Sequence, residues 1–393
     1  MSGAAEIDFN YPEGTPGADF KNNGGAYLRN LSEPNKVILA EIQQWVKTDS
    51  INLNDLCSYI LSDSLLLLRY LRANKFNAKK TKKHILKVIE WRKLQNITEL
   101  MKFTPEQILG VKLSDLIEKF PHWHYGYEKT GRPLLFKVQG EFDMKAIKAL
   151  CGGNFERMFK YHIWEQELIG RVCYEQSLRS RTIIETITVV LDVKGMTLST
   201  LSSDFRTMMS ALIKIDQEMY PETLGKMLIV NAPSVFPMIW GIMKPWFDPI
   251  TAAKVTIQGT EYKKVLHEQI GVTNLPSNYA GTRGTLSKEM HPYEEAMSMF
   301  GAPAAASDPS AAVAADLLVM KISGDAPVTV FTGLTSTAGE DSDNEGENAE
   351  VPDPVMPEGC LTPGQVAELE ASTSTESESP APAGGYKQRE FIY

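Results

Sequence analysis

The chain has 393 residues, of which 43% are apolar and 23% are charged, as in an ordinary globular protein. Its formal net charge of −9 is unevenly spread, because residues 340–393 hold 13 acidic and 2 basic side chains while the preceding 339 residues hold 36 and 38. That near-neutral body excludes a strongly basic nucleic-acid-binding protein, and four scattered cysteines without a CxxC pair favour a reducing, intracellular setting.

Neither a targeting segment nor a membrane span is predicted. Residues 1–30 lack the apolar core of a secretory signal. Residues 227–243 carry no charge, but they include Pro233 and Pro237, which are unfavourable in the middle of a membrane-spanning helix. A buried strand leading into a helix is favoured there, and we expect a cytoplasmic protein.

In chain order, the first predicted elements are three helices, at residues 32–47, 63–72 and 78–94. Ser32 is a suitable N-cap, and Pro34 suits a first helical turn. The third helix sets an apolar stripe against a basic face, which either meets an anionic membrane or, as charge runs usually do, faces water. The basic face consists of Lys79, Lys80, Lys82, Lys83, His84 and Lys87.

From residue 133 onwards, short strands alternate with helices. The strand predicted at 183–193 is almost continuously apolar, as expected of a strand buried on both faces. Strands separated by helices of this length predict right-handed βαβ units, and so an α/β fold with a mostly parallel sheet. The predicted strands cover 133–138, 183–193, 226–230 and 254–257, and the predicted helices cover 198–220, 235–243 and 261–270.

The regular pattern fades after Gly284. Residues 335–385 are rich in Gly, Ser, Thr, Pro and Glu, and this composition predicts disorder. Two apolar bursts within 315–334 predict either a hairpin or a short docking segment, which is too little for a second domain.

No catalytic signature is present. The sequence lacks a GxxxxGK[ST] loop, a GxGxxG turn, a GxSxG elbow and an HExxH helix. His122 and His124 form a close pair without further ligands at metal-like spacing, and Cys151 and Cys173 lack the signature of a cysteine nucleophile. We therefore expect no catalytic residues, no metal and no cofactor, and a binding protein instead of an enzyme.

Three passages, in order and spacing, resemble the CRAL-TRIO domain of the Sec-fourteen-like phosphatidylinositol transfer proteins. They are LLLRYLRANKF at 66–76, followed by WR at 91–92; DVKG at 192–195; and YPETLGK at 220–226, followed by IVNAP at 229–233, KPWFDP at 244–249 and LP at 275–276. The resemblance covers residues 32–284. It implies a helical lobe at 32–97 and an α/β lobe at 98–284, whose sheet floors a lipid cavity under a gate helix. Outside the resemblance, we expect a flexible N-terminus at 1–31 and, from its composition, a largely disordered acidic tail at 285–393.

Position by position, the resemblance implies a phosphatidylinositol headgroup site. A phosphodiester needs a cation such as Lys254 and a hydroxyl donor such as Thr251, and inositol hydroxyls donate well to Glu222. Lys75 is implied on the helical lobe, but the family's usual basic residue just before it is Asn74 here, which removes one charge.

The resemblance also places a gate in the Met- and aromatic-rich run 236–247, whose alternative interpretation is an ordinary core helix. The gate residues are Phe236, Trp240 and Phe247. Gly225 and Gly281 match the family's hinge positions, and glycine allows φ values closed to other residues. We predict that Gly281→Val slows lipid exchange far more than it weakens equilibrium binding.

The second-lipid site departs from the family pattern. Members that carry phosphatidylcholine hold its phosphocholine group with two hydroxyl side chains on one strand and with surrounding tyrosines. The strand positions are Ile187 and Val189 here, which face the same way on a strand but cannot hydrogen-bond. The tyrosine positions are His124, Leu135 and Gln166. The departure favours an apolar second lipid, such as a sterol or an isoprenoid, over phosphatidylcholine.

The resemblance implies a monomeric protein that carries phosphatidylinositol between membranes, or presents it to phosphoinositide kinases, through transient membrane contact. Its implied location is the cytoplasm and the surface of Golgi, endosomal or other internal membranes. Two alternatives are a sterol or isoprenoid carrier and a scaffold protein whose lipid domain localises a regulatory tail.

Overall fold

The computed structural model describes residues 9–11 and 26–300. The predicted disordered segment, the apolar bursts in 315–334 and the acidic residues 340–393 lie outside this part of the chain. Within it, no helix combines the length and the apolarity that crossing a bilayer requires. The uncharged stretch 227–243 divides between a strand and a separate helix of 8 residues.

The amino-terminal lobe is helical, as predicted, and its three main helices begin with side-chain caps. Ser32, Ser62 and Asn77 each accept a hydrogen bond from the backbone N–H three residues further on. These helices are α1 (Glu33–Thr48), α2 (Asp63–Ala73) and α3 (Ala78–Leu94), and the short helices α4 (Ile97–Leu100), α5 (Pro105–Leu109) and α6 (Leu113–Lys119) follow.

Helix α3 turns its apolar stripe into the core and most of its lysines outward. Three of the lysines form ion pairs, Lys82 with Glu41 and Lys87 with Glu218, each at 2.7 Å, and Lys93 with Asp55 at 3.1 Å. The exposed lysines of α3 are Lys79, Lys80, Lys83, Lys87 and Lys93. Part of the basic face is thus neutralised by neighbouring carboxylates.

A five-stranded sheet in the order β1-β2-β3-β4-β5 forms the centre of the second lobe. Only the β1–β2 pair is antiparallel within it, which confirms the predicted α/β class with a mostly parallel sheet. The strands are β1 (His122–Tyr127), β2 (Pro133–Val138), β3 (Ile187–Asp192), β4 (Leu224–Val230) and β5 (Val255–Ile257).

Helices follow the strands and cover the sheet. They are α7 (Met144–Leu150), α8 (Glu156–Ser180), α9 (Ser203–Met219), α10 (Phe236–Met243), α11 (Pro249–Ala252), α12 (Lys263–Gln269) and α13 (Glu294–Ser298). Alternate residues of β2 and β3 divide between two buried faces. Phe136 stacks on Tyr279 at 5.2 Å on one face, while Leu135 and Val189, paired in register, share the other.

The sequence did not predict strand β1 or helix α8. The 25-residue helix α8 buries charged Glu165 and Glu167 among its apolar residues, so it lacks a simple division into an apolar and a polar face. Strand β1 is rich in histidine and aromatic residues and contains Gly126 at φ 79°. Both elements are stabilised by tertiary contacts that local periodicity does not show.

Two predicted elements begin four or five residues later than expected. Strand β3 begins at Ile187 instead of 183. The backbone N–H of Ile183 donates a hydrogen bond to the carbonyl of Asn10 at 2.8 Å, and not to a neighbouring strand of the sheet. Helix α9 begins at Ser203 instead of 198, because Ser202 caps it through the N–H of Phe205.

The packed region extends past the predicted boundary at residue 284. Helix α13 lies against β1, and Tyr293, just before it, is completely buried. At the other end of the chain, Tyr11 donates a hydrogen bond to Glu185 at 3.1 Å, so part of the segment expected to be flexible contacts the α/β lobe.

Candidate ligand-binding cavity

One large cavity, of about 320 Å³, lies between the sheet and the helices among the described residues. Its floor consists of side chains two residues apart on three parallel strands, as the alternation of a strand requires. Its volume falls at the lower end of the range for small-molecule sites. The floor residues are Leu135, Ile187, Val189, Leu191, Met227 and Ile229.

Helix α10 forms an apolar wall of this cavity. The gate residues Phe236, Trp240 and Phe247 all line it, and the rings of Trp240 and Phe247 stack at 5.8 Å. The indole Nε1 of Trp240 is buried without a hydrogen-bond partner in the described chain. Pro237 stands in the first turn of α10, where its missing N–H costs nothing.

Three of the five headgroup residues meet at one place on the cavity wall. Lys254 Nζ lies 3.4 Å from Glu222 Oε2, and both side chains are mostly buried. Thr251 donates its hydroxyl hydrogen to Asp248, whose carboxylate also caps α11. Glu222 has a φ of 59°, an uncommon value outside glycine, which tends to occur at functional sites.

The other two headgroup residues, Asn74 and Lys75, end helix α2 and differ in position. Asn74 lines the cavity, and its amide nitrogen contacts the Tyr70 carbonyl at 2.8 Å and His84 Nδ1 at 2.9 Å. Lys75 is exposed, with a φ of 52°, and it does not line the cavity. The structure therefore brings together four of the five predicted residues.

Four of the five second-lipid residues line the same cavity: Leu135, Gln166, Ile187 and Val189. The hydroxyl residue between the two strand positions, Thr188, is fully buried on the opposite face of β3. The cavity face of this strand is therefore purely apolar.

His124 does not line this cavity, contrary to its assignment from the resemblance. Its Nε2 atom lies 3.2 Å from Glu165 Oε1, and its ring packs against Tyr293 at 5.1 Å. Partners from α8 and from the segment before α13 thus hold this side chain in a buried polar network.

A polar cluster that the sequence did not reveal occupies the α8–α9 wall. His162 Nε2 contacts Asp216 Oδ1 at 2.6 Å, and Gln166 Nε2 donates to the same oxygen at 2.8 Å. Burial lowers the pKa of His162, but the Asp216 carboxylate and Glu165 raise it by more, to about 9. His162 is therefore a cation at neutral pH. A helical pattern recognised over 156–180 would have placed His162 and Gln166, four apart, on one face.

Behind this cluster, Glu165 is completely buried and paired with Lys137 at 3.0 Å. Burial disfavours its charge, but Lys137 and neighbouring histidines hold the pKa of Glu165 well below its usual range. Burial lowers the pKa of His122 to about 4, so this residue is neutral and contacts Tyr161 at 2.5 Å. In the part of the chain described, no group of three or more potential ligands is placed to hold a metal ion.

The two predicted hinge glycines, Gly225 and Gly281, lie where neighbouring chain segments come very close. Neither has a φ in the left-handed region, so the conformation described here does not itself require the backbone freedom of glycine. A Cβ at Gly225 would lie 2.6 Å from Thr186 Oγ1, and one at Gly281 would lie 1.9 Å from the Leu275 carbonyl oxygen. Close approach of neighbouring chain segments, which only glycine permits, explains both residues.

Two family models match this chain. A family model described as the CRAL/TRIO domain matches residues 118–281, and one described as the CRAL/TRIO N-terminal domain matches residues 38–87. A SEC14 cytosolic factor of Candida glabrata is 32% identical over 223 residues, which cover 56% of this chain and 70% of that protein.

A plant relative is also similar. The phosphatidylinositol/phosphatidylcholine transfer protein SFH12 of Arabidopsis thaliana is 31% identical over 234 residues, or 59% of this chain and 42% of that protein. The chain spans 36–57% of the length of four such Arabidopsis relatives. The crystal structure of Sfh5 matches with a TM-score of 0.49 and 17% identity, covering 69% of this chain and 96% of that chain.

Proposed function

Because the chain belongs to the CRAL-TRIO family, we propose that it binds phosphatidylinositol and carries it between membranes or presents it to phosphoinositide kinases. The observation that carries this proposal is the meeting of Glu222, Thr251 and Lys254 on the wall of a cavity with an apolar floor. A cation, a hydroxyl and a carboxylate suit a phosphodiester and an inositol ring, and the floor suits acyl chains.

The ion pair between Glu222 and Lys254 allows a second interpretation, in which it only stabilises the fold. Its position on the cavity wall favours a ligand role, since a phosphate oxygen could share Lys254 while inositol hydroxyls donate to Glu222. Thr251 N–H and hydroxyl groups are turned to Asp248, so binding through the hydroxyl requires it to rotate.

The apolar cavity face of β3 supports the second part of the proposal, an alternative loading with a sterol or another apolar lipid in preference to phosphatidylcholine. Ile187 and Val189 offer no hydrogen bond to a buried phosphocholine group. Unpartnered polar groups of this kind cost roughly 1–3 kcal/mol each. A sterol or isoprenoid carrier is the related alternative.

The protein is proposed to act without catalysis. Burial raises the pKa of Cys151 to about 11 and that of Cys173 to about 12, so neither thiol ionises at neutral pH. We further propose a monomer that touches internal membranes such as the Golgi transiently. The alternative is a scaffold protein whose lipid domain only localises the tail. Such a protein would bind lipid without transferring it between membranes.

The test is a liposome assay of phosphatidylinositol transfer with Lys254→Met and Glu222→Gln. Each substitution keeps side-chain shape and removes a charge-assisted hydrogen bond, of roughly 1.5–3 kcal/mol. We expect transfer to fall about tenfold to hundredfold. Lys263→Met and Glu261→Gln, at exposed positions on and before α12, are the matched controls.

Thermal unfolding of each variant separates the two interpretations. A purely structural ion pair would lower stability and leave transfer by the folded protein unchanged, which would contradict the headgroup assignment. Mass spectrometry of lipids that co-purify with the unmodified chain tests the second lipid, and phosphatidylcholine as the main species would contradict that part of the proposal.

A further inference from the structure

The polar cluster on the α8–α9 wall stands out in the apolar cavity, and no part of the proposed headgroup site uses it. Asp216 lines the cavity with 41% of its side chain exposed. Its Oδ1 atom accepts hydrogen bonds from both His162 and Gln166, whereas Oδ2 has no partner among the described residues. The carboxylate is therefore held in one orientation and retains an available acceptor.

Gln166 provides a second, independent observation. It also lines the cavity, the residue is about nine-tenths buried, and its Oε1 atom is buried without a hydrogen-bond partner in the described chain. Buried polar groups are almost always paired. Both unused atoms, Asp216 Oδ2 and Gln166 Oε1, accept hydrogen bonds, so a group that satisfies them must donate.

The charges around the cluster indicate what that donor is. The cation of His162 offsets Asp216, and Lys137 offsets Glu165 at 3.0 Å, so these four groups carry no net charge. An anionic or cationic ligand would add a charge that has no partner in this cluster. An uncharged donor on a small group, a hydroxyl, fits both the acceptors and the charge balance.

We propose that Asp216, oriented by His162 and Gln166, anchors the hydroxyl group of a neutral lipid in the second mode of loading. The hydroxyl donates to Asp216 Oδ2, and the apolar body of the lipid lies along the floor at Ile187 and Val189. This inference rests on the proposed lipid-carrier function and narrows its second ligand. It selects hydroxyl-bearing neutral lipids, such as sterols and diacylglycerols, over hydrocarbons and fully esterified lipids.

The test compares ligands that differ only in the hydroxyl, with the full chain and radiolabelled probes. Cholesterol is paired with 5-cholestene, and 1,2-dioleoylglycerol with its acetate ester. Of the two hydroxyl lipids, we expect the one that binds more tightly to have an affinity about tenfold to hundredfold higher than that of its hydroxyl-free partner. This ratio is the expected effect of one charge-assisted hydrogen bond. Asp216→Ala should remove that ratio while binding of the hydroxyl-free partner persists, and Gln166→Leu should reduce it.

Asp204→Ala is the control, because Asp204 lies on the same helix and pairs with Lys148 away from the cavity. Equal affinities within both pairs, or a ratio that survives Asp216→Ala, would overturn the inference. So would a failure of both hydroxyl lipids to bind a chain that transfers phosphatidylinositol normally. If the unmodified chain showed the hydroxyl preference but did not transfer phosphatidylinositol, only the proposed function would be overturned.

Discussion

Ile187 and Val189 lie side by side on the cavity face of β3, whereas Thr188 between them points to the other face. The period of two along a strand decides which of these neighbours a ligand can reach. The hydroxyl that β3 does carry is therefore on the wrong side of the sheet for a phosphocholine group. One shift of register would exchange the two faces.

We predict that Ile187→Ser combined with Val189→Thr gives the protein phosphatidylcholine transfer. The new hydroxyls would supply hydrogen bonds to a buried phosphocholine, and a gain of about tenfold or more is expected at ~1.4 kcal/mol per decade. Parallel liposome assays with labelled phosphatidylcholine and phosphatidylinositol measure it. No gain, in a variant that still transfers phosphatidylinositol, would show that these positions do not select the second lipid.

The His162–Asp216 pair predicts a stability that depends on pH. The folded-state pKa of His162 is raised from 6.5 to about 9, so its contribution is complete below pH 6.5 and is lost as the pH rises through 9. We expect the free energy of unfolding to fall by as much as about 3 kcal/mol between pH 6.5 and 9.5. Urea unfolding across this range checks it.

In the His162→Gln variant, the free energy of unfolding is expected to be nearly constant over that pH range. His291→Gln is the matched control, because burial lowers the pKa of His291 and its contribution changes below pH 6.5 instead. A loss of stability above pH 6.5 that persists in His162→Gln would assign the dependence to another group.

Most of the headgroup, second-lipid and gate residues predicted from the sequence line the cavity. Ile187, Val189, Glu222 and Lys254 lie within or close to the passages that resemble the family, and their neighbours in the chain fix their direction. His124 was misplaced because Glu165 and Tyr293, which hold it, are 41 and 169 positions away in the sequence. Asp216 was missed for the same reason, since its partners belong to a helix that local periodicity did not show.

Among the elements, the gate helix α10 and the segments around it decide whether the cavity can exchange its contents. Gly281 lies so close to Leu275 that any side chain meets backbone, whereas Gly241, within α10, has nothing within 4 Å of an added Cβ. Substitution of Gly281 therefore tests a packing constraint, whereas substitution of Gly241 tests the gate helix itself.

We predict that Gly281→Ala lowers the free energy of unfolding by roughly 1–3 kcal/mol, the usual cost of overpacking. Gly281→Val, chosen above as a probe of exchange, would therefore report on folding as well. Gly241→Ala is the control and should be neutral or slightly stabilising, because alanine favours helix. Denaturant unfolding measures both, and a stable Gly281→Ala protein with slow exchange would favour a hinge over a packing role.

The first three helices carry a local signal and were predicted to within about one residue, whereas α8 was not predicted. Caps and a single apolar stripe mark α1 and α3, so their ends follow from nearby side chains. Helix α8 buries charged residues that pair with partners such as Arg92 and Lys137 from other elements. Such pairing exists only in the folded chain, and no pattern within α8 indicates it.

At the scale of the whole molecule, charge is divided between a nearly neutral body and an acidic end. Residues 340–393 hold 13 acidic and 2 basic side chains. A negative membrane surface attracts the exposed lysines of α3 and repels such a segment. The balance between this attraction and this repulsion determines how strongly the chain binds anionic lipid.

Deleting residues 340–393 should strengthen binding to anionic vesicles, and the gain should shrink at high salt because charges are screened. Phosphorylation of Ser342, which lies among acidic residues, should act in the opposite direction. Co-sedimentation with anionic vesicles measures the effect, and neutral vesicles are the control. Stronger binding by the full chain would contradict the repulsion.

Tyr293 determines where a folded fragment of this protein can end. Its hydroxyl contacts His122 at 3.0 Å and Glu165 at 3.3 Å, and it also meets Tyr161, all of them buried beneath the cavity wall. The CRAL/TRIO match stops at residue 281, so a fragment cut there would lose the partner of these polar groups. These groups keep other partners, but each loses one buried hydrogen bond, worth about 0.5–1.5 kcal/mol, and the missing ring leaves a cavity. Phe300 is therefore a safer terminus for expression than the family boundary.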